Sequence, residues 1–162
     1  MKNKAILIGI IGAVGIAAFL VYRQFRKLMD YKLSFRSVKV KKINMQGIDL
    51  TLGLNFENKS DIQVVLASQQ YDVFINNVKL STLKNDKDVL ISPKSISPIT
   101  FDVSVGSKGI ADLIKTTSFS ELLNIKKQSL RVDSTLVIKI GSGTRTIKQS
   151  SEDLIQNWMK SE

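Results

Sequence analysis

Fourteen carboxylates, twenty-four lysines and arginines and three tyrosines supply all the titratable side chains of this 162-residue chain, which has no histidine and no cysteine. Ser–His–Asp and Cys–His nucleophilic catalysis, Cys/His zinc sites, disulfides and a lipobox cysteine are excluded at once. The missing thiols say nothing about compartment, since a chain without them suits any redox poise. An acid–base enzyme would have to work with carboxylates, lysines or tyrosines alone. Asp86-Lys87-Asp88, following Asn85, puts two carboxylates into one loop. It lacks the glycine and distal glutamate of a calcium-binding EF-hand, so it reads as a solvated turn. Gly141-Ser142-Gly143 and Gly106-Ser107-Lys108-Gly109 lack the length and the Gly-Lys-Ser/Thr ending of a phosphate loop. The other acids are scattered, with no spacing that would set up a glycosidase dyad. Asn58-Lys59-Ser60 matches a glycosylation sequon, a pattern too common to carry weight. The expectation is no catalytic residue, no metal and no cofactor.

The net charge of +10 is unevenly distributed. Residues 1–42 hold ten Lys/Arg against the single acid Asp30, whereas residues 43–162 hold fourteen against thirteen acids. A nucleic-acid-binding domain carries its charge on a folded face. Here the basicity belongs to the N-terminal segment, which argues against nucleic acid as a partner.

Residues 5–22, AILIGIIGAVGIAAFLVY, are uncharged and overwhelmingly apolar. As a helix they would rise about 27 Å, close to the roughly 30 Å hydrocarbon core of a bilayer. Lys2 and Lys4 precede the run, Tyr22 ends it, and Arg23, Arg26 and Lys27 follow. Together these predict a single-pass anchor with an interfacial aromatic and basic flanks, the lipid bilayer being its partner. A cleaved signal peptide competes, but its apolar stretch is normally shorter and ends in a small-x-small site. A buried helix of a soluble protein is the third reading. Ala5, Gly9, Ala13 and Ala17 form a smooth stripe suited to close helix approach and self-association. The abundance of Ala and Gly in membrane helices is the plainer account of that stripe. Counting cations on either side of the span leans the C-terminal domain toward the cytoplasmic, or otherwise interior, side. Phe25, Leu28, Met29 and Leu33 then recur at helical spacing among cations, so residues 1–33 read as anchor plus basic amphipathic stalk. A solvated linker is the alternative for the stalk.

From Ser34 the period changes to two. Ile48, Leu50, Leu52, Leu54 and Phe56 alternate with polar or small residues, a half-buried strand. Tyr71, Val73 and Ile75 lead into Asn76-Asn77, a pair suited to a two-residue hairpin. Ile99, Phe101, Val103 and Val105 alternate again, and Pro93 and Pro98 fall outside strand centres. Ile110 to Ile114 suggest a helical turn or two, and Ser118-Phe119-Ser120-Glu121 matches a capping box. Strand character returns at Leu130 and Val132, runs through Ile140, and turns at Gly141-Ser142-Gly143. About seven strands over residues 34–149 predict an all-β antiparallel sandwich of immunoglobulin or fibronectin type with short helical insertions. Residues 150–162 read as a short amphipathic helix capped at Ser150-Ser151-Glu152-Asp153. Trp158 and Met159 on that helix either pack on the sandwich or form a partner-binding tail.

The stretch Ile48 through Ser60, the hairpin Tyr71-Asp72-Val73-Phe74-Ile75-Asn76-Asn77, and Ile91-Ser92-Pro93 through Val105 carry a family resemblance. They resemble the late embryogenesis abundant (LEA) type 2 family, also called the water stress and hypersensitive response domain. That family runs an alternating strand into Asn-Pro-Asn/Ser, then a Tyr-x-Val-x-Val-Asn-Gly hairpin, then a proline turn into another alternating strand. Lys59 stands where the family usually has proline and Asn77 where it has glycine; both suit turns. The resemblance implies a fibronectin-like sandwich without catalytic residues, desiccation or stress protection, and a membrane anchor in many members. The expected function is therefore a membrane-anchored, non-catalytic protein with a stress-protective or envelope-associated role and protein partners not yet named. The alternative is a structural tether between a membrane and a larger assembly, such as a minor membrane protein of a membrane-containing virus or phage.

Overall fold

Alternation of apolar and polar residues becomes two stacked sheets. The computed structural model describes residues 31–159, together with Phe19, Leu20, Tyr22, Arg23 and Arg26. One sheet holds three strands in the order β1 (Lys32–Asn44), β2 (Gly47–Asn58) and β6 (Ser95–Gly106). The other holds β4 (Val78–Asn85), β3 (Val64–Ile75), β7 (Ser129–Ile140) and β8 (Gly143–Leu154), with β5 (Val89–Ile91) pairing to β3 below β4. Every pairing is antiparallel. Between β6 and β7 lie helices α1 (Ser107–Leu113) and α2 (Phe119–Leu123) and a 3₁₀ turn, Ile125–Lys127; α3 (Ile155–Trp158) follows β8.

The inward set of β2 is Ile48, Leu50, Leu52, Leu54 and Phe56, each at most 1% exposed. It faces Leu66, Val73 and Ile75 of β3 and Leu130, Val132, Leu136 and Ile138 of β7 within one core. Fully burying a side chain of this size stabilises by roughly 1.5–3 kcal/mol, so the layered core dominates the fold's stability. The β3–β4 hairpin turns on Asn76 and Asn77, at φ 47° and 65°. Both centres are left-handed, as the tightest hairpin turn requires, and asparagine tolerates that region. Ser118 and Glu121 form the predicted reciprocal capping box at α2. Gln128 ties this helical corner to the hairpin, donating to the Glu121 carbonyl at 2.9 Å while Asn76 donates to its side chain.

Several boundaries differ from the sequence reading. The sandwich spans 32–154 rather than 34–149, and it has eight strands because the three-residue β5 is separate. Leu33 is 4% exposed inside β1, so it belongs to the core and not to a stalk. Ser150-Ser151-Glu152-Asp153 continues β8, paired with β7 through Ser129↔Leu154, and caps no helix. The C-terminal helix is the four residues of α3. Among the described residues no helix is long and apolar enough to cross a membrane. Most of the predicted 5–22 span lies outside the described residues.

Candidate functional site

The chain enters the sandwich at the end that also holds loops 59–63 and 92–94 and turn 141–142. This follows from the register: Lys32↔Glu57, Asn58↔Ser95, Val64↔Ile91, Val65↔Lys139 and Ile140↔Gly143. We call it the base; Met45, the Asn76-Asn77 hairpin and the helices lie at the other end.

The base is organised by Asn58, which is wholly buried. Its carboxamide NH₂ donates to the carbonyls of Ile62 at 3.0 Å and Ser92 at 2.9 Å. Its carbonyl oxygen accepts from the Ser60 amide at 3.0 Å and hydroxyl at 2.7 Å. One side chain thus holds both loops that close this end, and burial is affordable because each polar group is partnered. The sequon asparagine is therefore occupied and inaccessible in the folded state. Lys94, at φ 48°, turns the β5–β6 loop and reaches Asp61 in the facing loop. Lys59 lies 4.0 Å from Glu57, and Lys139 lies 3.5 Å from Asp88. Beside them Tyr31 stacks on Phe56, ring centroids 5.5 Å apart. Tyr31 also meets Arg145, Thr146, Ile147 and Lys148 in a shallow cleft of about 240 Å³. Partial burial raises the Tyr31 pKa.

Near this end two large apolar side chains are exposed on the outer faces of the two sheets, Leu90 at 65% and Ile96 at 61%. They bracket the turn Ser92-Pro93-Lys94. Parity explains both. Ile91 points inward, so its neighbour Leu90 points out, and Ile96 lies on the opposite face of β6 from Val103 and Val105. That signal is present in the sequence, as an adjacent apolar pair and an off-register isoleucine.

A second feature is the groove between β1 and β8, about 530 Å³. Gln149 donates across it to the Leu33 carbonyl at 2.7 Å. Trp158 stacks on Phe35 at 3.9 Å between centroids, and Met159 also packs on the core. The C-terminal residues thus lie against β1, which is the packing alternative of the two that the sequence left open for Trp158 and Met159. Of the remaining predicted positions, Tyr22 and Arg23 are helical and exposed, as is Arg26. Ala5, Gly9, Ala13, Ala17 and Lys27 lie outside the described residues.

The acids do not converge. Asp86 accepts from the Ser68 hydroxyl at 2.7 Å while Asp88 faces Lys139. Among the described residues no three carboxylates gather as a metal site would need. Hydrogen bonding to Lys79, then Thr82, holds Asp72 below the ordinary carboxylate range. Asp102 is lowered by Lys41 and Thr51, Asp112 by Lys115, and Glu121 by the Ser118 amide and hydroxyl. Each of these groups is held ionised, the opposite of a general acid. Tyr71 is buried, stacks on Phe101 at 4.9 Å and donates to Gln69 at 3.0 Å. Burial pushes its phenol pKa upward, away from any role as a base.

No family model matches the chain, and no curated protein does. Solved structures do. The solution structure of AT1g01470 from Arabidopsis thaliana aligns with a TM-score of 0.55 at 12% identity, covering 75% of this chain and 80% of that one. A crystal structure of a protein from Archaeoglobus fulgidus aligns at 0.48 and 18% identity, covering 75% and 97%. A solution structure assigned provisionally as a late embryogenesis abundant protein, At2g46140.1, aligns at 0.45 and 12% identity, covering 91% and 90%. At these identities the Arabidopsis thaliana likeness is one of fold alone. The class so defined is an all-β, two-sheet antiparallel sandwich.

Proposed function

We propose that this chain is a membrane-anchored, non-catalytic sandwich protein of the LEA type 2 kind. Its role is stress-protective or envelope-associated and is exerted through contacts with proteins and the bilayer surface. The observation that carries this reading is the apolar run 5–22, cationic at both ends, which is followed by eight residues, 23–30, before Tyr31 and the first strand at Lys32. Kinship with the LEA type 2 domain is supported by what the shared motif residues do. Asn58 and Ser60 lock the base, Tyr71 anchors the core face of β3, and Asn76-Asn77 turn the hairpin.

Washing membranes that carry the full-length chain at alkaline pH and high salt tests the anchor. The chain stays in the pellet, and Ala13→Arg, costing about 2.5–3.5 kcal/mol at the centre of a span, sharply reduces that retention. Release of the unaltered chain by the wash refutes the reading.

A further inference from the structure

We propose that the base of the sandwich docks on an anionic lipid surface, with Leu90 and Ile96 entering the headgroup layer on either side of Lys94. This deepens the anchor reading and rests on it. Residues 23–30, between the apolar run and Tyr31, span at most about 28 Å even when fully extended. The anchor therefore holds the base, and not the helical end, against the membrane. The base presents Lys32, Lys59, Lys94, Lys139, Arg145 and Lys148 against Glu57, Asp61 and Asp88. The connecting segment adds Arg23, Arg26 and Lys27 against Asp30. A surface of net positive charge that also exposes two large aliphatic side chains matches a bilayer of negative surface potential: the cations meet headgroups and the aliphatics enter the boundary. At the opposite end the exposed Met45 has no such role, because the length of the sandwich separates it from the anchor.

The cysteine-free sequence makes the test direct. Full-length chains with single substitutions Leu90→Cys, Ile96→Cys and Met45→Cys carry an environment-sensitive fluorophore and are reconstituted into vesicles. One set is phosphatidylcholine and the other contains phosphatidylserine, each with spin-labelled lipid as quencher. All three positions are at least 59% exposed, so labelling leaves the core untouched. The expected result is blue-shifted, quenched emission from residues 90 and 96 in the anionic vesicles and from neither in neutral ones, with residue 45 solvent-like in both. Lys59→Gln lowers the docked-to-undocked ratio about fivefold. Chains that float with the vesicles and resist alkaline washing, yet show residues 90 and 96 as wet as residue 45, overturn the docking and leave the anchor standing. Chains that wash off overturn both.

Discussion

The side-chain carbonyl of Asn58 accepts two hydrogen bonds from Ser60, one from its amide at 3.0 Å and one from its hydroxyl at 2.7 Å. The Ser60 hydroxyl oxygen also lies 3.0 Å from the Ile62 carbonyl, an alternative acceptor for its single proton that already takes a hydrogen bond from the Asn58 NH₂. The sandwich is thus closed at its base by a buried polar network where loops 59–63 and 92–94 meet.

Removing the hub is expected to be costly. Asn58→Ala leaves the Ser60 amide without its acceptor and takes one of two donors from each of the Ile62 and Ser92 carbonyls, which keep the Ser60 and Ser95 hydroxyls within reach. A buried group left without a partner costs about 1–3 kcal/mol, and the cavity adds to it. We expect a loss of about 3 kcal/mol, or about 10 °C in melting temperature for a domain of this size. Ser60→Ala costs less, and the double variant shows coupling of about 1 kcal/mol. Additive losses would contradict a shared network.

Trp158 is the sole tryptophan, so its emission reports its own packing. Phe35→Ala removes the ring on which it stacks. The emission is expected to shift to longer wavelength, with a stability loss of about 2 kcal/mol from the lost stacking and burial. An unchanged spectrum would mean that the C-terminal residues do not rest on β1.

The turn at Asn77 gives a backbone test. At φ 65° a β-branched residue is strained, and Asn77→Val is expected to cost about 1–2 kcal/mol. It also removes the acceptor that Arg131 reaches at 2.7 Å. Asn77→Gly loses that bond but relaxes the turn, so stability changes by less than about 0.5 kcal/mol. Urea unfolding of the two variants distinguishes them; equal losses would show that the hydrogen bond, not the backbone, matters.

Asp72 supplies a pH dependence. Lys79 at 2.8 Å and the Thr82 hydroxyl lower its folded pKa. Its contribution is therefore fully present above the unfolded value near about 4 and is lost as pH falls through the lower folded value. The stability gap between the native chain and Asp72→Asn should narrow between about pH 5 and pH 2. Its size is under about 1 kcal/mol, since the pair is partly solvated. A gap independent of pH would contradict the assignment.

Where one face of a strand is buried and the other wet, the fold was readable from residues alone. β2 and the Tyr71–Val73–Ile75 run of β3 show this, as do the Asn76-Asn77 turn and the Ser118–Glu121 cap, whose chemistry is local. The end of β8 is illegible in the sequence for the opposite reason. It is a sheet-edge strand whose residues are mostly exposed, so Ser150 to Asp153 carry no alternation and look like a helix cap. Leu33 reads as helical in the sequence because its spacing from Met29 also fits a helix. The base could not be assembled from sequence spacing, since Asn58 and Ser92 meet only when β2, β5 and β6 pair.

The most direct test of an anchor joined to a self-standing sandwich is trypsin treatment of washed membranes, which presents Arg23, Arg26 and Lys27 as cleavage sites between the two parts. In high salt, the account predicts release of a soluble fragment beginning near Leu28 with the Trp158 emission of the intact protein, while the apolar N-terminal peptide stays in the pellet. Release of the whole chain without cleavage, or a cleaved fragment that remains in the pellet, would contradict it.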